Sequence, residues 1–189
     1  MRGSARVFVA ITLPDDVKAG LVRATAPIRD GGRALRWVPE PQLHLTLRFL
    51  GSIPRDAIER LESSLRVEAA RCAAFDLRLR GGGCFPNPRN PRVLWVGVQP
   101  GPALGEAHAA VEDAVSAAGF DRTERPFRPH VTIGRVRRGR HVPTRVGEWL
   151  ADSPIDATVR VWSVTLIEST LSTAGARHDP ILTCPLSRI

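Results

Sequence analysis

The chain has 189 residues, 43% of them apolar, which is enough to bury a substantial core and too much for a disordered chain. No apolar run approaches the ~18 residues that a membrane-spanning helix needs, so the sequence predicts a soluble protein with no membrane partner. Its net charge is +8, from 27 basic residues, of which only Lys18 is lysine, against 19 acids; that sign favours an anionic partner, because the summed field steers phosphates and the arginine fork matches their oxygens.

Residues 6–13 read as a strand, apolar from Val7, and Pro14-Asp15-Asp16 follows at once instead of a small-residue cleavage site, so this stretch is a strand in preference to a signal peptide and the cytoplasm is the expected compartment. Asp15 or Asp16 then caps a helix on which Val17, Leu21, Ala24 and Ile28 recur at helical spacing, broken by Gly31-Gly32. A second strand at 44–50 closes at Gly51, and Pro54 opens a helix with Ile58, Leu61, Leu65 and Cys72 on one face. Residues 75–80 and 93–98 form a hairpin-like strand pair around the turn-rich Gly81-Gly82-Gly83-Cys84-Phe85-Pro86-Asn87-Pro88. Leu104, Val111, Val115 and Ala118 mark a third helix ended by Gly119, and a strand at 130–135 follows. A short helix at 144–150 leads to strands at 157–169 and 177–186.

Two copies of one signature stand out among five histidines: His44-Leu45-Thr46-Leu47 and His130-Val131-Thr132-Ile133. Both lie in period-two alternation, so His44 and Thr46 share one strand face, and His130 and Thr132 another, while the flanking aliphatics enter a core. The order of elements around each copy is nearly a duplication. Two similar lobes of antiparallel sheet and helices, related by a pseudo-twofold within one 1–189 domain, would bring both strands to a central cleft. There, two imidazoles with unperturbed pKa near 6.5 can act as acid and base at neutral pH, and two hydroxyls can donate to phosphoryl oxygens. No HExxH, GxxxxGK[ST] or DxD pattern occurs. Cys72, Cys84 and Cys184 are odd in number with no CxxC pair, so no metal, cofactor or disulfide framework is expected.

With these residues in view, the chain resembles the RNA 2′,3′-cyclic phosphodiesterases, also called 2′-5′ RNA ligases, of the two-histidine phosphoesterase superfamily. The resemblance rests on Arg6-Val7-Phe8-Val9-Ala10-Ile11, Arg36-Trp37-Val38, His44-Leu45-Thr46-Leu47-Arg48-Phe49-Leu50-Gly51, Phe85-Pro86, Arg92-Val93-Leu94-Trp95-Val96-Gly97 and Arg125-Pro126-Phe127-Arg128-Pro129-His130-Val131-Thr132-Ile133-Gly134-Arg135. It implies an α+β fold of two pseudo-symmetric lobes, catalytic His44 and His130, and phosphate-binding Thr46, Thr132 and Arg135. It also implies metal-free opening of an RNA-terminal 2′,3′-cyclic phosphate to a 2′-phosphomonoester, and reversible 2′-5′ joining of RNA ends. In its usual scheme His44 is the acid toward the ribose 3′ oxygen and His130 the base on water, an assignment the sequence leaves open. Where such proteins often carry Tyr near the last strand, this chain has Arg177-His178 and no tyrosine at all, which makes His178 a candidate substrate contact.

Strict alternation from His130 places Arg135 on the opposite face, so its role requires the strand to end or bulge at Gly134. Arg48 shares parity with His44 and is set equally between cleft and solvent. Phe8, Trp37 and Phe85 are candidates to stack a base, although aromatics beside strands more often pack a core. His108 falls on the apolar stripe of the third helix and is read as packing, and His141 belongs to a basic run from Arg135 to Arg145 that would meet RNA phosphates. RNA ends or oligonucleotides bearing the cyclic phosphate are the expected partners of a monomeric enzyme. The alternatives are a related phosphodiesterase acting on a small cyclic nucleotide and a non-catalytic RNA-binding module.

Overall fold

A computed structural model describes residues 3–29, 34–172 and 175–187. In chain order it contains β1 (Ser4–Thr12), α1 (Asp15–Arg29), β2 (Leu35–Trp37), a 3₁₀ turn (Glu40–Gln42), β3 (His44–Pro54), α2 (Asp56–Ala69), β4 (Phe75–Phe85), β5 (Val93–Val98), α3 (Pro102–Ala117), β6 (His130–Val136), α4 (Thr144–Ala151), β7 (Asp156–Val161), β8 (Ser163–Ser172) and β9 (Gly175–Pro185). The two acids expected to cap α1 sit inside its first turn, at the positive end of the helix, while the Pro14 carbonyl takes the first helical N–H, from Lys18, at 3.0 Å. The Gly31-Gly32 break expected after α1 lies outside the described residues. Pro54 ends β3, and α2 begins two residues later.

All the strands join one antiparallel sheet in the order β7-β4-β5-β6-β3-β1-β8-β9, with β2 added along β6. The order is symmetric about the β6–β3 seam: each half is a run of four strands whose innermost member carries one His-x-Thr copy. The halves are not sequential, however. After α2 the chain crosses so that β4 builds the second half, and β8 and β9 return to complete the first. The expected duplication of sequence order is therefore realised with exchanged strands.

Period-two alternation drives the layering. Val7, Val9 and Ile11 of β1, Leu45 and Leu47 of β3, Leu94 and Val96 of β5 and Val131 and Ile133 of β6 are almost fully buried, in one core with Leu21 and Ile28 of α1, Leu61 and Leu65 of α2, Val111 and Val115 of α3 and Val146 of α4. The helices thus cover one face. The other face, left open by the curled sheet, has a small separate cluster of Phe8, Ala10 and Ile167. Among the described residues no helix is long and apolar enough to cross a membrane.

Where the sequence reads a turn at Gly81-Gly82-Gly83, β4 continues through the glycines to Phe85. The glycines serve packing: a Cβ on Gly82 would lie 3.1 Å from a Leu150 methyl of α4, and one on Gly83 would overlap the Trp95 indole. Gly97 is tighter still for the backbone, because a Cβ there would stand 2.6 Å from the Arg80 carbonyl oxygen. That carbonyl belongs to the neighbouring strand and cannot rotate away. Gly97→Ala is therefore expected to destabilise the fold by about 1–3 kcal/mol, the usual range for forced overpacking, as measured by denaturant unfolding. A stability equal to wild type would show that β4 and β5 can part at no cost.

Candidate active site

The seam between β3 and β6 pairs Leu45 with Val131 in antiparallel register, so His44 comes opposite Thr132 and Thr46 opposite His130 on the open face. Neighbouring strands extend this face: Thr12 and Ala10 of β1 lie beside His44 and Thr46, and Gly97 and Trp95 of β5 beside His130 and Thr132. The four residues of the two signatures are gathered into one small patch.

The two imidazoles are held in the same way. Each Nδ1 meets the carbonyl oxygen two residues earlier, His44 with Gln42 at 2.6 Å and His130 with Arg128 at 2.7 Å. A carbonyl only accepts, so Nδ1 carries the proton and the neutral ring keeps its lone pair at Nε2. Nε2 of His44 lies 3.1 Å from Thr46 Oγ1, whose hydroxyl donates to it. Gln42, which orients His44 through its backbone, is itself tied to the β8–β9 hairpin by its side-chain amide, which donates to the Ala176 carbonyl at 2.7 Å.

The walls differ. His44 stacks on Phe8 (centroids 4.9 Å, 30°) and meets His178 edge-on at 5.4 Å, and His178 in turn stands edge-on to Phe8 at 5.1 Å. Nδ1 of His178 is buried without a hydrogen-bond partner among the described residues. His130 faces the edge-on ring of Phe85 at 5.0 Å, with Trp95 at 6.4 Å. Trp37, in contrast, pairs with Gly134 and points to the helix face beneath the Arg29 guanidinium of α1, 5.1 Å away, which removes it from the base-stacking candidates.

Both imidazoles are driven toward the neutral form. Burial lowers His44 to about 4, against the raising effect of the Gln42 carbonyl, and the charges of His178, His130 and Arg135 lower it further. His130 is lowered chiefly by burial, opposed by the Arg128 carbonyl, with Arg135 again lowering it. His178 is lowered by burial and pulled up by Asp179.

Bulges decide the two arginines. In β6 the pairing with β5 shifts between Leu94–Gly134 and Trp95–Thr132, leaving Ile133 as the extra residue, and Arg135 then pairs with Val93. This shift turns Arg135 to the face of the histidines, where its charge reaches both. In β3 the shift falls between Val9–Arg48 and Ala10–Thr46, leaving Leu47 as the extra residue. Arg48 thereby shares the face of buried Val9 and points under α3, and the expectation that it contacts substrate is corrected: its guanidinium lies 3.4 Å from Glu112 Oε1 and donates to the Asp121 carbonyl at 2.6 Å. Glu112 also accepts the Thr123 N–H at 3.0 Å, and His108 stacks on Phe127 at 4.0 Å. This network clamps the segment that delivers the Arg128 carbonyl to His130. Neither the network nor Gln42 carries a sequence signal beyond its residue type. Among the described residues, no three metal-ligating side chains gather.

Comparison with known proteins agrees with this geometry. The family model described as the 2′-5′ RNA ligase superfamily matches residues 14–172. The RNA 2′,3′-cyclic phosphodiesterase of Methanothermobacter thermautotrophicus is 30% identical over 173 residues, covering 90% of this chain and 92% of that one. The Thermotoga maritima protein of the same name is 29% identical over 182 residues, covering 95% and 94%. Among solved structures, a protein of Thermus thermophilus superposes with a TM-score of 0.79 at 28% identity, covering 96% of this chain and 97% of its own. E. coli LigT complexed with 3′-AMP superposes with a TM-score of 0.75 at 25% identity, covering 97% and 98%.

Arg48 and Glu112 are 14% and 6% exposed, so removing the cation strands a buried carboxylate. Arg48→Met is expected to cost about 3–5 kcal/mol in unfolding free energy, whereas Arg48→Met combined with Glu112→Leu regains most of the loss, because no uncompensated charge remains. A single substitution costing under about 1 kcal/mol would mean that the pair is solvated.

Proposed function

The chain belongs to the 2′-5′ RNA ligase superfamily, and from that premise we propose that it hydrolyses the 2′,3′-cyclic phosphate at RNA ends to a 2′-phosphomonoester, acting as a monomeric, bilobal enzyme of the cytoplasm. The observation that carries this reading is the pair of imidazoles on one sheet face, each with Nδ1 on a carbonyl, so that Nε2 is the atom that takes or gives a proton, that of His44 with Thr46 Oγ1 3.1 Å away. Water attacks phosphorus and the bond to the ribose 3′ oxygen breaks. One Nε2 takes the proton of the water, and the other delivers a proton to the leaving oxygen. In this reading His130 is the base and His44 the acid. A proton placed on His44, among the charges of His178, His130 and Arg135, is given up readily.

Thr46 and Thr132 donate to the nonbridging oxygens from opposite sides of the seam, and Arg135 offsets the charge that develops there. The diester's own negative charge loads the acid. Both histidines are neutral at pH 7 in the free protein, and an anion set between them cancels the positive field that keeps protons off. With an RNA 5′-hydroxyl in place of water and the roles unchanged, the same groups would join RNA ends 2′-5′, and the reverse cleavage would exchange the roles. Phe85 beside His130 and His178 beside His44 would border the substrate's ribose and base, and LigT, complexed with 3′-AMP in one solved structure, shares this fold.

Turnover of a dinucleotide ending in a 2′,3′-cyclic phosphate tests the function. His44→Ala and His130→Ala should each lose a factor of about 10² to 10⁴, and the double variant should lose far less than the product of the two, since acid and base act as one unit. Near-native turnover in either single variant would end the two-histidine reading.

The pH dependence follows from the direction of the shifts. Free-enzyme kcat/KM needs one ring charged and one neutral, and both rings titrate below their ordinary value, His44 at about 4. The kcat/KM maximum should therefore fall between pH 4 and roughly 6.5 and decline on both sides, with the kcat profile displaced to higher pH by the bound anion. Arg135→Gln removes a positive neighbour, raises both rings and moves both limbs upward while lowering the height. A kcat/KM maximum above pH 8 would contradict the assignment.

A further inference from the structure

Two arginines stand directly opposite each other on the open face: Arg36 of β2 pairs with Arg135 of β6 in antiparallel register. Cross-strand partners share a face, so both guanidinium groups project from the open side of the sheet. Continuing across the sheet, the row runs Phe85, Val93, Arg135, Arg36, parallel to the row of Thr132 and His44. The inner arginine reaches both histidines by its charge. The outer one extends toward the β8–β9 hairpin, where its Nη2 occupies the space that a Cβ on Gly175 would take. Arg36 is exposed, and it bridges the rim of the face between β2 and the hairpin that carries His178.

The spacing suits a second phosphate. Three residues along β6 separate Thr132 from Arg135, on the order of 7–10 Å, and Arg36 stands one strand farther out. That distance is the reach of one ribose from a phosphate held between the signatures. The chain's charge of +8 supplies the attraction, and the arginine fork the geometry.

We propose that Arg36 forms a second phosphate site, which takes the 5′-phosphate of the terminal nucleoside, the one that links it to the preceding nucleotide, while Arg135 serves the scissile phosphate. The protein then distinguishes a chain end from a mononucleotide by a contact one nucleotide step away from the chemistry. This rests on the reading of the cleft as a nucleotide phosphate site given above.

Calorimetric binding of adenosine 2′-monophosphate and adenosine 2′,5′-bisphosphate, to wild type and to Arg36→Gln, tests it. Wild type is expected to bind the bisphosphate between about threefold and tenfold more tightly, the worth of one solvent-accessible charge-assisted contact. Arg36→Gln should remove most of that ratio and Arg36→Lys should keep part of it, while Arg23→Gln, which deletes an equal charge on the exposed surface of α1, should leave the ratio intact. If Arg36 merely braces the hairpin, its loss weakens both ligands alike and preserves the ratio, and that result overturns the proposal. So does a wild-type ratio near one. A protein that turns over the cyclic dinucleotide with a ratio near one loses only the second site, whereas one that binds neither nucleotide loses the cleft reading as well.

Discussion

Leu45 and Val131 face each other across the middle of the sheet, both fully buried beneath the helices. Their antiparallel register converts two distant tripeptides into one site. Because side chains alternate along a strand, burying the central aliphatic of each signature forces its His and Thr to the opposite face, and the register crosses them so that each His stands opposite the other half's Thr. A slip of one residue would bury the imidazoles and expose the leucine. The hydrophobic core is thus the device that positions the chemistry, and the exchange of β4, β8 and β9 between halves locks that register from both sides of the seam.

The same arrangement works against the charge of its own rings. Burial, a third imidazole and an arginine depress His44, and burial and the arginine depress His130, so the resting face presents neutral rings under a positive field. In the proposed mechanism an anionic substrate would complete this state: the charge it brings would raise the proton affinity where an acid is needed. The carbonyls of Gln42 and Arg128 offset part of the depression and hold each ring in one tautomer, so the substrate has to deliver charge but not order.

How far the sequence foretold this depends on where the period of two holds. The two signatures and the helices with apolar stripes were legible because alternation held from His to Thr in each signature and helical spacing ran unbroken through the helices. Parity put Arg48 on the face of His44 and Arg135 on the opposite one, both wrongly, since one bulge at Leu47 and another at Ile133 each reverse a face, and a bulge leaves no mark in the residue types beside it. β2 is too short to carry a period, and the run at 157–169 is two strands, β7 and β8, which meet at Trp162 with no glycine or proline to mark the turn. The triple glycine misled in the other direction: it spares room for Trp95 and Leu150 inside a strand instead of making a turn. The carbonyls that orient the histidines are invisible to any reading of side chains.

Symmetry of backbone and asymmetry of wall together give the site a direction. Each His-x-Thr copy has the same hydrogen bond at Nδ1 and the same place beside the seam, so the main chain alone would make the two rings interchangeable. The surroundings separate them. His44 is enclosed by Phe8 and by His178, whose charged form is itself disfavoured by burial, and three positive groups bear on it. His130 lies against Phe85 and Trp95, with Arg135 as its one charged neighbour of weight. In the proposed mechanism a phosphate between them would meet two rings of unequal hold on the proton, an inequality that general acid–base catalysis uses if one ring is to give and the other to take. The imidazole at position 178 adds to that difference: it stands edge-on to His44 at 5.4 Å, and its charge lowers the proton affinity of that ring further.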